Sequence, residues 1–151
     1  MAGATEVMTL LVQHISSQSA VQALIGIRPC KVFPGDVPLR VDSREITPPW
    51  VNLRQNDWDE FVHFRGGTGT FHCPTTIAAT AATVTIAREL FDAVRESMAN
   101  KWSETWADRL FVQEATMTLG RQVDVVNVDG SPSNWQQIEG ELNLICCVNP
   151  A

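Results

Sequence analysis

The chain has 151 residues, of which 44% are hydrophobic and 19% charged, a composition typical of one globular domain rather than of a disordered or fibrous protein. Its formal net charge of -6 excludes broad electrostatic capture of nucleic acid, which depends on a lysine- and arginine-rich surface that displaces counterions. The basic residues are mostly arginines, and five tryptophans accompany no tyrosine, a bias toward side chains that are enriched in protein interfaces.

The cysteine pattern predicts packed thiols rather than a metal site or a disulfide framework. No two of Cys30, Cys73, Cys146 and Cys147 have the CxxC spacing of a zinc site. The amino-terminal segment MAGATEVMTLLVQH has no basic leader, and its apolar run is too short for a signal or membrane segment. We therefore expect reduced, mostly packed cysteines in a protein assembled in the cytoplasm, with no membrane contact.

The amino-terminal part predicts a pair of helices. Apolar residues recur at helical spacing from Val7, which predicts an amphipathic helix ending near residues 16–18. Ser19 is a candidate cap for a second, short helix that Gly26 closes. Residues 28–49 then contain five of the eight prolines and predict an irregular connector, with a short strand at 31–33.

Strand-like segments follow the connector. Residues 50–55, WVNLRQ, predict a strand with an exposed edge, and the acidic residues 56–60 predict its turn. A second strand is expected over 61–73, and the glycines at 66, 67 and 69 are interpreted as a bulge or kink in it. This interpretation predicts that valine substitutions at Gly66, Gly67 or Gly69 damage folding or assembly.

The strongest helical pattern lies in the middle of the chain. Apolar residues from Ile77 to Met98 recur alternately four and three positions apart, so we expect a helix capped by Thr75 or Thr76 and ending near Asn100. Its charged residues are expected to face solvent and to pair across a turn. They are Arg88, Glu89, Asp92, Arg95 and Glu96.

The carboxy-terminal third predicts strands. Residues 110–119 alternate, with Phe111, Ala115, Met117 and Leu119 on the apolar face. Residues 123–128 either continue that strand or form a separate arm, and 129–134 are a turn cluster. In the last strand, 135–148, one face is apolar and the other is wet or faces a partner. The apolar face carries Ile138, Leu142, Leu144 and Cys146, and the polar face carries Gln137, Glu139, Glu141 and Asn143.

These elements predict an α+β fold in a single domain, 1–151. A mostly antiparallel sheet carries one long helix and the short amino-terminal helix pair on one face.

Neither chemical motif in the segment HFRGGTGTFHCPT, residues 63–75, fits a known site. The glycines match neither GxxxxGK[ST] nor GxGxxG, because no lysine lies between Lys31 and Lys101 and the third glycine position is His72. His72 and Cys73 are adjacent, so on a strand they point to opposite faces and the histidine cannot activate the thiol. A metal site from His63, His72 and Cys73 across a hairpin is a remote alternative.

Carboxylates and tryptophans have simple structural interpretations. The acids of 56–60 and those of the last strand are interpreted as solvated turn and strand residues, although glycosidase-like acid pairs remain an alternative. We expect no catalytic residue, cofactor or metal. The residues expected at an interface are Trp50, Trp58, Arg65, Arg121, Trp135, Glu139 and Glu141.

The order of segments resembles the tail-terminator, or tail-completion, proteins of long-tailed bacteriophages. The resemblance runs from Thr9 to Val148 through ALIGIRPCKVFPGDVP, ITPPWVNLRQ, GTGTFHCPTTIAATAATVTIARELFDAVRESMA and DGSPSNWQQIEGELNLICC. Its motifs are hydrophobic patterns and turns in a given order. The chain departs from the family pattern in its longer connector at 41–46, its cysteines at 30 and 73, and its extra segment around Trp102 and Trp106.

The resemblance implies a virion structural protein without catalysis. Such proteins form a homohexameric ring that caps the tail tube, stops its polymerisation and joins the head-completion or connector proteins, while genomic DNA passes through the lumen without specific binding. The implied location is the head-proximal end of the virion tail. The alternatives are another head-tail connector of related fold and, from a different class, a small hydrolase that uses Cys73 or Cys30 with a histidine.

Overall fold

The computed structural model describes residues 3–28, 30–38, 40–41, 44–61, 69–125 and 134–149. The helices are α1 (Ala4–Ser16), α2 (Ser19–Ile25) and α3 (Val84–Met98). The strands are β1 (Val32–Pro34), β2 (Arg40–Val41), β3 (Arg44–Glu45), β4 (Trp50–Gln55), β5 (Asp59–Phe61), β6 (Thr70–His72), β7 (Thr75–Ala81), β8 (Lys101–Trp106), β9 (Leu110–Met117), β10 (Arg121–Val123) and β11 (Gln136–Val148).

A nine-stranded sheet organises the described residues around its long central strand, β11. Strands β7, β4 and β1 follow one another on one side of β11, and β9 and β8 follow on the other. Every pair in this sheet is antiparallel except β1 with β4. Strands β2 and β3 form a separate two-stranded hairpin. The predicted α+β class with a mostly antiparallel sheet is confirmed.

The helices cover one face of the sheet, the inner face. Helix α3 packs on β7, β9 and β11, and α1 packs across β1, β8, β9 and β11. The predicted alternation of β11 is confirmed, because its apolar side chains enter this core. The largest fully buried side chains are Trp106, Phe91, Leu11, Ile15, Leu53, Ile77, Leu90, Met98, Leu110, Ile138, Leu142 and Leu144.

The amino-terminal helix pair is confirmed with one difference. Gln18, rather than Ser19, occupies the N-cap position of α2, and no side chain there caps the helix. Gly26 ends α2 with a φ of 81°, a left-handed conformation that favours glycine.

The predicted start of the long helix is wrong. Residues 75–81 form β7, and α3 begins only at Val84, where the Thr83 hydroxyl accepts a hydrogen bond of 3.2 Å from the Ile86 backbone N–H. Strand β7 lies between β4 and β11 and is buried on both faces. Its small alanine and threonine side chains satisfy helical and strand periods equally, and only the neighbouring strands decide between them.

The predicted strand over 61–73 is also wrong, because two strands of a hairpin occupy this region. Strand β5 pairs with β6, so Asp59 and Glu60 lie in a strand rather than in a turn. Residues 62–68, which include His63, Arg65, Gly66 and Gly67, lie outside the described residues. Gly69 has a φ of 114°, so a valine there is strained even though space around it is open.

Strands β6 and β7 continue each other along the same edge of β11. Between them, the Cys73 backbone N–H donates a 2.7 Å hydrogen bond to the Leu144 carbonyl, and the register on β11 does not change. The Pro74 carbonyl accepts hydrogen bonds from the Asn56 backbone N–H at 3.0 Å and from the Trp58 indole at 3.0 Å. Strand β4 pairs on both sides, with β1 and β7, so its predicted exposed edge is not found.

Phe91 of α3 packs directly against the backbone of two sheet segments. A Cβ atom built on Gly140 would lie 2.5 Å from the Phe91 Cζ atom. One built on Gly120 would lie 2.5 Å from the Ile138 Cγ2 atom and 2.7 Å from the Phe91 Cδ1 atom. Side chains do not approach so closely, so both positions require glycine for α3 to sit at this distance from the sheet.

The chain bulges between β9 and β10, at residues 118–120. The Thr118 hydroxyl, rather than its carbonyl, accepts a 2.9 Å hydrogen bond from the Glu141 backbone N–H. Arg95 donates to the carbonyls of Met117 and Thr118 at 3.3 Å each, and Arg88 donates to the Gly120 carbonyl at 2.9 Å. The predicted pairing of these arginines with acids of α3 is therefore not found among the described residues.

Two further features depart from the predicted alternation of residues 110–119. The register between β9 and β11 shifts by one residue at Gln113, so Val112 rather than Phe111 is fully buried. Leu119, predicted on the apolar face, lies in the bulge and is 78% exposed. The segment after α3, for which the sequence pattern predicted no element, forms β8.

His14 joins α1 to the end of α3 and to β8. Its ring stacks on Trp106 with centroids 4.3 Å apart and an interplanar angle of 6°, and its Nε2 atom lies 3.1 Å from the Ser97 carbonyl. Burial lowers the pKa of His14, against smaller raising effects of the Ser97 hydrogen bond and of Glu104, and Lys101 lowers it further.

The contact of Phe91 with Gly140 predicts that Gly140→Ala lowers the free energy of unfolding by about 1–3 kcal/mol, because the added methyl group overpacks the core. Urea unfolding of the purified protein measures this. Phe91→Leu alone is the reference that completes a double-mutant cycle with Gly140→Ala. Adding Phe91→Leu to Gly140→Ala should recover part of the loss; strictly additive effects would contradict the proposed clash.

The lowered pKa of His14 predicts acid sensitivity. The unfolded chain protonates near pH 6.5, before the folded protein does, so stability is complete above about pH 6.5 and declines as the pH falls toward the lower folded pKa. Urea unfolding at pH 7.5 and 5.5 should show a smaller decline for His14→Gln than for the wild type. Equal declines in the two proteins would contradict this assignment.

Candidate interaction surface

The sheet face opposite the helices, the outer face, is polar. Across neighbouring strands it presents rows of Asn, Thr, Gln and Glu side chains, as the register places Arg54 beside Thr76 and Thr76 beside Glu141. Asn143 lies beside Thr116 in the next row, and its Oδ1 atom accepts a hydrogen bond of 2.6 Å from Nε2 of His72. No helix packs on this face among the described residues.

The connector covers one end of the outer face. Phe33, Ile46 and Trp50 form a second, small buried cluster there, against which Val37 packs. Trp135 meets Trp50 edge to face, with ring centroids 4.9 Å apart and an interplanar angle of 86°. Because this cluster shields the sheet, the outer-face side chains of the neighbouring β7 segment are also nearly inaccessible.

The bulge at 118–120 opens a cleft of about 400 Å³ on the outer face, which we call the bulge cleft. It is lined by Thr76, Thr118, Leu119, Arg121, Glu139, Gly140 and Glu141. Arg121 pairs with Glu139 at 2.9 Å, directly opposite it in the β10–β11 register. The Glu141 side chain is exposed and makes no ion pair with a described residue.

A second depression, of about 560 Å³, adjoins the bulge cleft. Thr118 and Glu141 line both, and His72, Asn143 and Asn100 extend the second one toward β6 and β8. Together the two depressions form a continuous hydrogen-bonding surface over the part of the sheet that the connector leaves open.

The structure divides the seven residues predicted at an interface into separate groups. Arg121, Glu139 and Glu141 come together in the bulge cleft. Trp50 is 7% exposed and Trp135 is 40% exposed, and they meet under the connector. Trp58 is half-buried against the main core, and Arg65 lies outside the described residues.

Cys73 and its neighbour His72 lie on opposite faces of the sheet. Cys73 is fully buried on the inner face, whereas the His72 ring contacts Asn143 on the outer face, so the predicted opposition of this pair is confirmed. A hydrogen bond with the Cys146 thiol, and then burial, raise the pKa of Cys73 above its ordinary range. Burial also raises the pKa of Cys147. All four cysteines are free thiols, and Cys30 is exposed.

Neither a metal-binding cluster nor a membrane-spanning helix is found among the described residues. No group of three or more His, Cys, Asp or Glu side chains is placed to hold a metal ion. None of the helices in these ranges combines the length and apolar character that crossing a lipid bilayer requires.

The three most exposed large apolar side chains of the described residues were missed by sequence reasoning. Leu119 is 78% exposed, Ile27 is 65% exposed after α2, and Trp102 is 56% exposed on β8. Ile27 follows Gly26 and precedes the exposed Arg28, and we call residues 26–28 the α2 corner. The exposure of Ile27 could have been predicted from the Gly-Ile-Arg sequence that follows a helix end. The exposure of Leu119 could not, because the alternation of β9 assigns this residue to the core.

The fold is shared with a known protein. One chain of a solved structure described as the virion of a native gene transfer agent particle matches with a TM-score of 0.60 and 14% sequence identity, over 95% of this chain and 95% of that one. At this identity the likeness establishes a common fold. No protein-family model matches the chain, and no curated protein does.

Burial separates the tryptophans into structural and surface residues. Trp50→Ala should lower the free energy of unfolding by about 3 kcal/mol, because it empties the cluster under the connector. Trp102→Ala, at an exposed position on β8, should change it by less than about 0.5 kcal/mol. Urea unfolding compares the two, and equal losses would contradict this division.

Proposed function

We propose that this chain is a structural protein of a phage-like virion, and specifically a tail terminator. In this role it forms a ring, a homohexamer by resemblance to the family, that caps the tail tube, stops tube polymerisation and meets the head-completion protein. It carries out no catalysis.

The observation that carries the proposal is the fold likeness over 95% of both chains to a component of a gene transfer agent virion. It agrees with the order of sequence segments that resembles the tail-terminator family. The likeness supports a virion component, and the segment order supports the terminator role within the virion.

The outer face of the sheet supports an assembly role. One face of the sheet is closed by helices, whereas the other presents polar side chains and two adjoining depressions at its open part. Such a polar, hydrogen-bonding surface suits a non-obligate protein contact, in which a subunit is stable before it assembles.

The net charge supports passage of DNA rather than its retention. At -6 the chain lacks the cationic surplus from which counterion release derives its affinity. In a ring of such subunits the lumen would repel a passing duplex on average, with the effect decreasing as salt screens the charges.

Negative-stain electron microscopy of the purified protein, alone and with tail tubes, tests the proposal. We expect rings on tube ends and an arrest of tube growth. Persistent monomers that leave tube growth unchanged would contradict it. Preferential capture of the head-completion protein over tube protein in a pull-down would instead support the alternative, a head-tail connector of related fold.

A further inference from the structure

The two most exposed large apolar side chains of the described residues each lie beside a charge, and the two charges have opposite signs. Leu119 is 78% exposed and shares the bulge cleft with Glu141. Ile27 is 65% exposed and is followed by the exposed Arg28. An exposed aliphatic side chain with an adjacent charge suits a protein interface, in which apolar contacts are surrounded by a polar rim.

Neither charge is neutralised within the described part of the chain. The ion pairs there join Arg109 to Glu6 and Arg121 to Glu139, so Arg28 and Glu141 remain without an oppositely charged partner among these residues. The two sites are therefore complementary both in apolar character and in charge.

The two sites belong to different elements of the fold. The α2 corner follows α2 and leads into β1, whereas the bulge cleft lies at β10 and β11. Gly26, with its φ of 81°, ends α2, and all three residues of the corner are exposed. No ion pair of the described residues joins Arg28 to Glu141, so the complementary sites do not meet within one chain.

The geometry points to a head-to-tail contact between copies of this chain, in which Ile27 of one copy packs against Leu119 of the next and Arg28 pairs with Glu141. Because different surfaces meet, the contact is heterologous, and a rotation between copies closes such contacts into a ring. It forms one anchor of a larger interface, since stable interfaces bury on the order of 1,600 Å² in total. This inference rests on the proposed ring and names the residues that close it.

Charge reversal tests the contact. Arg28→Glu and Glu141→Arg each place like charges opposite one another, so each should raise the protein concentration needed for half-assembly by at least about tenfold. The double variant restores the opposite charges and should return this concentration to near the wild-type value. Glu96→Arg, an exposed reversal on α3, is the control and should assemble like the wild type.

Sedimentation velocity over a concentration series measures assembly, and thermal unfolding of each variant checks that the exposed substitutions leave the subunit folded. As a second measurement, Ile27→Cys and Leu119→Cys, combined in a Cys30→Ser background, should give disulfide-linked oligomers upon oxidation.

The outcomes separate the inference from the proposed function. Wild-type rings that both single reversals leave unaffected would overturn the inference while the ring remains. Loss of assembly in both single variants without recovery in the double variant would overturn the pairing of Arg28 with Glu141. A wild-type protein that stays monomeric at all concentrations and in the presence of tail tubes would overturn the proposed function and the contact together.

Discussion

Phe91 packs against the backbone of Gly120 and Gly140, and the position of α3, the bulge and the bulge cleft all depend on this contact. It brings α3 close enough for Arg88 and Arg95 to reach the carbonyls of the segment between β9 and β10. These hydrogen bonds hold the bulge, and the bulge in turn exposes Leu119 and opens the cleft beside Glu141. A packing requirement in the core therefore determines the shape of a surface on the opposite face of the sheet.

The connector covers one end of the outer face and leaves the other end exposed. The cluster of Phe33, Ile46 and Trp50 turns one end of this face into a second core, and Trp135 covers its border. The remaining part keeps its polar rows and its two depressions. The open part of the outer face is therefore bounded on one side by a buried apolar cluster.

Sequence periodicity predicted the fold class and failed where tertiary contacts override local pattern. The alternation of β11 was sufficient to predict a strand, because Ile138, Leu142, Leu144 and Cys146 on one face are all buried and apolar. The residue pattern of β7 was not sufficient to predict a strand, because alanines and threonines fit a helix as well as a strand that is buried on both faces. Within the candidate site, Arg121 and Glu139 were predicted singly. Their pairing depends on a register across 124–135 that no local pattern specifies, and the exposure of Leu119 depends on arginines of a distant helix.

The arginines of α3 also affect how the border of the sheet can meet another chain. Unpaired backbone carbonyls along a sheet border are templates on which another chain can add a strand and start an aggregate. Arg88 and Arg95 occupy the carbonyls of Met117, Thr118 and Gly120, so strand addition there must first displace two guanidinium groups from α3. These hydrogen bonds therefore protect this border of the sheet against edge-to-edge pairing with another chain.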